Sequence, residues 1–223
     1  MSEPVKRRRY RSTLRAEQAA ATRARILAAA RELFADAGYP RTTLGDVAVA
    51  AGVASDTVLH VFGSKKALLR AVLDVVVGGD DADLPVLERD EPQAMRRETD
   101  QRRQIEMFAS GMTGQLERIR PLDDILRSAA VVDTDARELR EDLQLRQRRA
   151  AMMTIASWIA ANGDLADGLT VGDAADIIWT MTSPEVHQLL REYSGWDVEK
   201  YQRWLQITLE QSLLNGSSLL QGS

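Results

Sequence analysis

Residues 42–70 have the sequence TTLGDVAVAAGVASDTVLHVFGSKKALLR, and this stretch decides the fold of the chain. Its apolar positions predict two short helices joined by a turn, followed at once by a third helix that opens on Lys65 and Lys66. Gly52 lies in the predicted turn, where glycine adopts a left-handed backbone without a Cβ clash. Ala48 lies where the two helices would cross, and its small side chain allows their close approach. The stretch therefore predicts a helix-turn-helix.

The two faces of this helix pair differ in chemistry. The apolar side chains expected to lock the helices together are Val47, Ala51, Val53, Val58 and Val61. The second helix of such a pair lies in the major groove of DNA, and its outward set is Ser55, Asp56, Thr57, Leu59 and His60. The predicted DNA-binding site also includes Thr42 and Thr43, and Lys65 and Lys66, which suit phosphate binding at a helix start. An ordinary helical hairpin is the alternative interpretation of the pattern.

Helical periodicity continues on both sides of this stretch. An apolar stripe over residues 26–34 predicts a helix that Gly38 ends. Thr43 with Asp46 three residues later predicts a capping box, and Ser64 is positioned to cap the helix that follows. These signals predict three helices around the turn and a fourth after it.

The rest of the chain is also helical by pattern. The spacing predicts a long helix ending at Pro121, a short one over residues 122–132, and a long one that stops near Gly163. No stretch alternates as a strand would, so the predicted fold class is all-α. The predicted segments are a basic flexible N-terminal arm (1–17), a helix-turn-helix DNA-binding domain (18–79), a helical regulatory and dimerisation domain (80–216) and a flexible tail (217–223).

Charge is distributed unevenly along the chain. The formal net charge of −4 divides into +6 for residues 1–77 and −10 for residues 78–223, so the predicted DNA-binding part is the basic one. The chain has no cysteine, which excludes disulfides and thiolate metal sites. The first residues are charged with no apolar stretch behind them, unlike a secretory signal. We therefore expect a cytoplasmic protein with no membrane partner.

Residues 26–73 carry a set of short motifs in a fixed order. These are AxxLFxxxGY, TTxxxVA, AGV and TVLHxFxSKxxL. Together they resemble the DNA-binding domain of the tetracycline-repressor (TetR) family of bacterial transcriptional regulators. The resemblance implies a homodimer, paired through its C-terminal helices, that binds a double-stranded operator and responds to a small molecule. The interpretation is a repressor that leaves its near-palindromic operator when the small molecule binds, and a regulator that activates or has no ligand is the alternative.

The resemblance also assigns roles, and three residues depart from it. It implies that Thr43 caps the second helix and touches phosphate, while Thr57 and His60 face the operator. Leu59 stands where the family usually has a tyrosine that contacts phosphate. Ser55-Asp56 stands where Lys-Gly is frequent, and Asp56 would repel phosphate unless it accepts a hydrogen bond from a cytosine amino group.

The N-terminal basic run allows two interpretations. Its six cations are Lys6, Arg7, Arg8, Arg9, Arg11 and Arg15. One interpretation is a disordered solubilising tail, and the other is an arm that reaches the minor groove or flanking phosphates.

The second domain is predicted to hold the effector. Its large and adaptable side chains that could line a ligand pocket are Met107, Phe108, Met112, Met152, Trp158, Trp179, Met181 and His187. Each of these residues could equally be ordinary core. The last helix has apolar or small residues on two faces, one containing Tyr201 and Leu205 and the other Trp204 and Ile207. A helix with two apolar faces must bury more than one side, so the last helix is predicted to pack against a second subunit.

Two other classes of protein compete with this interpretation. An enzyme is disfavoured because the chain has two histidines, no cysteine and no recognisable catalytic, metal-binding or cofactor motif. We therefore expect no catalytic residues, no metal site and no cofactor. A helical adaptor that binds other proteins is the remaining alternative, since all-α dimers often do so.

Overall fold

The structure is a computed structural model that describes residues 4–79 and 84–214. It confirms the all-α fold class, because the described part of the chain contains helices and no strand. The α-helices are α1 (Pro4–Ala37), α2 (Leu44–Ala51), α3 (Ser55–Phe62), α4 (Lys65–Gly78), α5 (Asp90–Arg97), α6 (Gln101–Ala130), α7 (Thr134–Glu141), α8 (Arg148–Ala160), α9 (Val171–Met181), α10 (Pro184–Gln188) and α11 (Val198–Leu213). A 3₁₀ turn covers Val86–Glu88, and π-helical segments cover Asp142–Gln147 and Leu189–Tyr193.

The chain divides into two compact units. Unit 1 comprises Met1–Val75 with Ile125–Arg137, and unit 2 comprises Val76–Asp124 with Glu138–Ser223. The sequence predicted one boundary near residue 79. It did not predict that the end of α6 and the start of α7 would join the N-terminal unit.

The core of unit 1 contains side chains of α1 and of the helices predicted from residues 42–70. Its fully buried side chains include Ile26, Phe34, Val47, Val58 and Leu68. The ring of Phe34 packs against Tyr39, with 5.4 Å between the ring centroids. Burial of each large apolar side chain contributes about 1.5–3 kcal/mol to the stability of the fold.

The core of unit 2 is larger and joins α5, α6, α8, α9 and α11. Buried members include Ile105, Phe108, Ile155 and Ile178. On α11 the buried side chains are Tyr201, Leu205, Leu209 and Leu213, which lie four residues apart. The predicted face that contains Tyr201 and Leu205 therefore packs on the core of its own unit.

Two helix boundaries differ from the sequence predictions. The helix predicted to end at Pro121 continues to Ala130 as α6, because Leu122 and Leu126 are buried and hold the helix past the proline. Proline costs one backbone hydrogen bond there, and this packing offsets the cost. The sequence predicted a flexible arm over 1–17, whereas α1 begins at Pro4. No glycine or proline interrupts residues 5–37, so the backbone has no local reason to leave the helix.

The predicted tail over 217–223 lies outside the described residues. In the described ranges, no single helix has the length and hydropathy needed to cross a membrane. Only the bent pair of α2 and α3 meets that length and composition criterion, and only when the two helices are taken together.

Candidate functional site

The helix pair α2–α3 has the geometry predicted for a helix-turn-helix. The Asp46 amide N–H donates to the Thr43 hydroxyl (3.1 Å), and the Thr43 amide N–H donates to the Asp46 carboxylate (2.8 Å), which confirms the capping box. Gly52 has φ 65°, the left-handed conformation predicted for the turn. The two helices are bent by 112°, within the range that helix-turn-helix motifs adopt.

One face of α3 is buried and the other is free for a partner. Val58 is fully buried, whereas Ser55, Asp56, Leu59 and His60 are exposed as predicted. Thr57 is half-buried at the edge of this surface. We call the set Ser55, Asp56, Thr57, Leu59 and His60 the α3 surface.

One inward assignment on α3 is wrong. Val61 is 37% exposed, and the buried residue of that turn is its neighbour Phe62. Val58 and Phe62 are four residues apart and therefore share a face, as neighbouring turns of a helix require. The Arg23 guanidinium of α1 stacks over the Phe62 ring at 4.9 Å, which fixes α3 against the first helix. Val53 is half-buried, so its contribution to the helix contact is partial.

The two threonines ahead of α2 have different roles. Thr42 is 2% exposed, and its hydroxyl lies within hydrogen-bond distance of the Leu33 and Gly38 carbonyls (3.2 and 3.0 Å). Thr42 is therefore not available for the predicted DNA contact, because its hydroxyl links the end of α1 to the residues before α2. Thr43 is exposed, and its capping role holds the first turn of α2 at the surface.

The lysines at the start of α4 are held by other groups of unit 1. The Lys65 Nζ donates to the Pro40 carbonyl (3.3 Å) and lies 4.2 Å from the centre of the Tyr39 ring. Burial lowers the pKa of Lys65, and the charge of Asp133 partly opposes this. The Lys66 Nζ lies 3.4 Å from the Asp135 carboxylate. Ser64 caps α4 as predicted, accepting from the Ala67 amide N–H (3.1 Å).

Tyr39 is a structural residue that the sequence pattern marked only as part of a motif. Burial, with the charges of Asp133 and Asp135, raises the pKa of Tyr39 to about 12. Its buried ring thus contacts Phe34 on one side and Lys65 on another. The Gly-Tyr pair after α1 was the available signal, but the acidic residues lie far along the chain and no local pattern predicts them.

The predicted effector residues of unit 2 divide by burial. Phe108, Met152 and His187 are buried, and the half-buried ones are Met107, Met112, Trp158, Trp179 and Met181. All of the apolar members belong to the core of unit 2 or pack against it. Within the described ranges, no group of three or more acidic or histidine side chains is placed to hold a metal ion.

Around His187 the structure adds polar residues that the sequence did not single out. The His187 Nε2 lies 2.9 Å from the Glu117 carboxylate, which also accepts from the Arg191 Nε (2.6 Å). The bond from Arg191 is the main cause of the lowered pKa of Glu117, and burial lowers the pKa of His187. The half-buried Arg148 donates to the Thr182 hydroxyl (2.9 Å) and to the Trp179 carbonyl. Burial lowers the pKa of Arg148 to about 10, so it stays charged at neutral pH.

A bent, capped helix pair with an exposed polar second helix defines the class as a helix-turn-helix protein. Residues 26–72 match the family described as bacterial regulatory proteins, tetR family. The transcriptional regulator TtgR of Pseudomonas putida is 43% identical over 58 residues, an alignment that covers 26% of this chain and 28% of TtgR. The chain is thus matched over less than a third of the length of that curated relative. The likeness to the tetR family is therefore shown for residues 26–72, which contain the helix-turn-helix.

Solved structures extend the likeness to the whole fold. NalD of Pseudomonas aeruginosa, the secondary repressor of the MexAB-OprM multidrug efflux pump, superposes with a TM-score of 0.67 at 23% identity, covering 88% of this chain and 97% of NalD. SmeT in complex with triclosan also superposes with a TM-score of 0.67, at 20% identity, covering 91% of this chain and 96% of SmeT. At these identities the likeness concerns the fold: an N-terminal helix-turn-helix domain followed by a helical domain.

Proposed function

We propose that the protein is a homodimeric repressor that binds a near-palindromic operator and leaves it when a small molecule binds unit 2. The observation that carries this proposal is the α3 surface, whose exposed side chains stand on a helix fixed to its unit by buried Val58 and Phe62. A rigid helix with an exposed polar face is what reading base edges requires.

The chemistry of the α3 surface suggests the contacts. Asp56 accepts hydrogen bonds only, so it fits a cytosine amino group. Leu59 is 52% exposed and fits the methyl group of a thymine, in place of the phosphate contact that a tyrosine makes in relatives. Thr57 and His60 reach the neighbouring bases, and Thr43, Lys65 and Lys66 lie toward phosphates.

A second copy of the chain is proposed to pack on α8 and α11. On α8 a stripe of small side chains faces outward, formed by Ala150, Thr154, Ser157 and Ala161. Its hydroxyls bond back to carbonyls four residues earlier, at 3.2 Å for Thr154 and 2.8 Å for Ser157, so the stripe can be covered without leaving them unpaired. On α11, Ile207 is 51% exposed beside half-buried Trp204.

Dimerisation explains why the operator should be symmetric. A two-fold axis relates the two α3 surfaces, which must lie about one turn of DNA apart, or roughly 34–36 Å, to enter successive major grooves. Ile207→Glu should yield a monomer with weakened DNA binding, measured by analytical ultracentrifugation and fluorescence anisotropy. Leu145→Glu, at another exposed apolar residue, is the matched control and should stay dimeric.

An effector would act by shifting a population. The relative SmeT has been solved with triclosan, and another regulator of this fold with choline, so small molecules occupy proteins of this architecture. We propose the same of unit 2, with its Met, Trp and His side chains at the site. Such a ligand releases DNA only as far as it binds the released state more tightly than the bound state.

The deciding experiment is selection of bound sites from random DNA. We expect a near-palindrome whose half-site centres are about 10–10.5 base pairs apart. The double variant Thr57→Ala/His60→Ala should lose this preference, whereas Val49→Ala on the exposed side of α2 should keep it. A protein that enriches no sequence at modest salt would refute the proposal and favour a helical adaptor.

A further inference from the structure

Two of the buried polar atoms of unit 2 that have no hydrogen-bond partner lie on neighbouring rings. They are the Tyr201 hydroxyl oxygen and the His187 Nδ1, and both side chains are 0% exposed. The two rings meet edge to face, with 4.8 Å between their centroids. A buried polar atom without a partner costs free energy, so two of them on touching rings point to a ligand group that bonds to both.

The neighbours of His187 determine what its free nitrogen can do. The Glu117 carboxylate accepts from Arg191 and is held ionised, so it can only accept a hydrogen from His187 Nε2 as well. Burial favours the neutral form of the histidine by lowering its pKa. The remaining nitrogen, Nδ1, then carries a lone pair and no hydrogen. It requires a donor, whereas the Tyr201 hydroxyl hydrogen requires an acceptor.

Charges around the two atoms are already compensated. Glu117 is paired with Arg191, and the guanidinium of Arg148 is bonded to Thr182 and Trp179 with the carboxylates of Asp123 and Glu185 nearby. The charge of Arg120 also reaches His187, and its guanidinium is paired with Glu192. Tyr201 belongs to the buried hydrophobic cluster of unit 2 and packs against the Trp204 ring at 5.7 Å. A ligand here must be neutral, because an added charge would lack a counterion in a desolvated site.

We propose that unit 2 recognises a neutral, mostly apolar molecule by a single hydroxyl group. That hydroxyl donates to His187 Nδ1 and accepts from Tyr201, so one group satisfies both atoms. A carboxylate could not donate, and an ammonium could not accept. This ligand class rests on the proposed regulation by a small molecule and narrows it to phenols and alcohols with an apolar body.

The test compares two probes that differ only in the hydroxyl hydrogen. We would titrate 4-ethylphenol and its methyl ether, 4-ethylanisole, into the full chain, using tryptophan fluorescence and calorimetry. The wild type should bind the phenol about tenfold more tightly than the ether, as expected for one buried hydrogen bond. His187→Phe, which removes the accepting nitrogen, should lose most of this preference, whereas Tyr201→Phe should weaken phenol and ether alike because both have an oxygen that accepts from Tyr201. Their melting temperatures verify that both variants fold. Tyr193→Phe, on a 75% exposed ring, is the matched control and should keep the preference.

Any other outcome of these titrations contradicts the proposed ligand class. Equal affinity for phenol and ether, failure of both to bind, or an undiminished preference in His187→Phe would each mean that water or nothing occupies the two atoms. Release of DNA is measured separately, on the operator obtained by selection. Phenol binding without DNA release would refute the proposed regulation and leave the site standing, whereas release by a compound without a hydroxyl would refute the ligand class alone.

Discussion

The two units of the molecule place their polar side chains in opposite ways. In unit 1 the side chains proposed to read DNA lie on the outside of α3, above an apolar core that contains Val47 and Val58. In unit 2 the polar side chains His187 and Tyr201 lie inside the core. The difference corresponds to the two proposed modes of recognition: unit 1 offers groups that water satisfies in the absence of DNA, and unit 2 holds groups that only a buried partner can satisfy.

The largest effect should come from the apolar core of unit 1. Phe34→Ala removes a fully buried ring that packs on Tyr39, so the free energy of unfolding should fall by about 3–5 kcal/mol. Loss of DNA binding should accompany it, because the α3 surface depends on that core. Denaturant unfolding followed by circular dichroism measures the change. Val49→Ala, on an 83% exposed side chain, should change stability by less than about 0.5 kcal/mol.

The polar core of unit 2 should be sensitive to a change that leaves its volume unchanged. Glu117→Gln keeps the shape of the side chain but leaves Arg191, which is 18% exposed, without its carboxylate. Glu117 itself is about a third exposed, so solvent screening reduces the loss to about 1–2 kcal/mol. Glu199→Gln is the matched control, because its ion pair with Arg203 lies at the surface. Equal stability of the two variants would show that the cluster contributes nothing.

Acid should affect the same cluster before it affects the caps. His187 has a pKa below its unfolded value of 6.5, so the unfolded chain takes up a proton first and stability falls as pH drops below 6.5. Asp46 and Asp173 have pKa values below 3.8, so their contribution is lost only at lower pH. Glu117, Arg191, Arg120 and Tyr201 surround the imidazole and modulate its titration. Urea unfolding at about pH 7 and about pH 5.5 should show the decrease, and His187→Gln should flatten it.

Each unit contains one capping box, which allows a direct comparison. Thr43 caps α2 through Asp46, and Thr170 caps α9 through Asp173 in the same geometry. Thr43→Ala and Thr170→Ala should each lower the free energy of unfolding by about 1 kcal/mol. Only Thr43→Ala should also weaken DNA binding, since Thr43 lies at the proposed interface. Anisotropy with the selected operator decides this, and an equal loss in both variants would place Thr43 outside the interface.

Features whose partners are close in sequence were the ones that the sequence could predict. Both capping boxes and the Gly52 turn were predictable because their partners lie within a few positions. The inward face of α3 was missed by one position, since Val61 and Phe62 are both apolar and periodicity alone does not choose between them.

Contacts between distant positions were beyond the sequence. His187 and Glu117 are 70 residues apart, and Lys66 and Asp135 are 69 apart, so no spacing rule pairs them. The same holds for the division into units, where residues 125–137 join the N-terminal part. Local chemistry predicted the α3 surface, whereas the polar core of unit 2 depends on tertiary packing.

The smallest effect on stability should come from an exposed pair that bears on DNA binding. Asp135 lies 3.4 Å from Lys66, and both side chains are partly exposed, so the pair contributes about 0.2–1 kcal/mol. In DNA-bound protein a phosphate would compete with Asp135 for the same ammonium group. Asp135→Asn should therefore raise operator affinity by a few-fold while leaving stability nearly unchanged.

A double-mutant cycle separates this pair from general charge repulsion. If Asp135 acts by holding Lys66, Asp135→Asn should raise affinity in the wild type and have no effect in a Lys66→Ala background. Lys66→Ala alone should reduce the salt dependence of binding by about one phosphate contact. An equal gain in both backgrounds would mean that Asp135 repels DNA as a distant charge, and that the ion pair does not limit binding. Asp164→Asn, an exposed carboxylate of unit 2, sets the baseline for losing one negative charge.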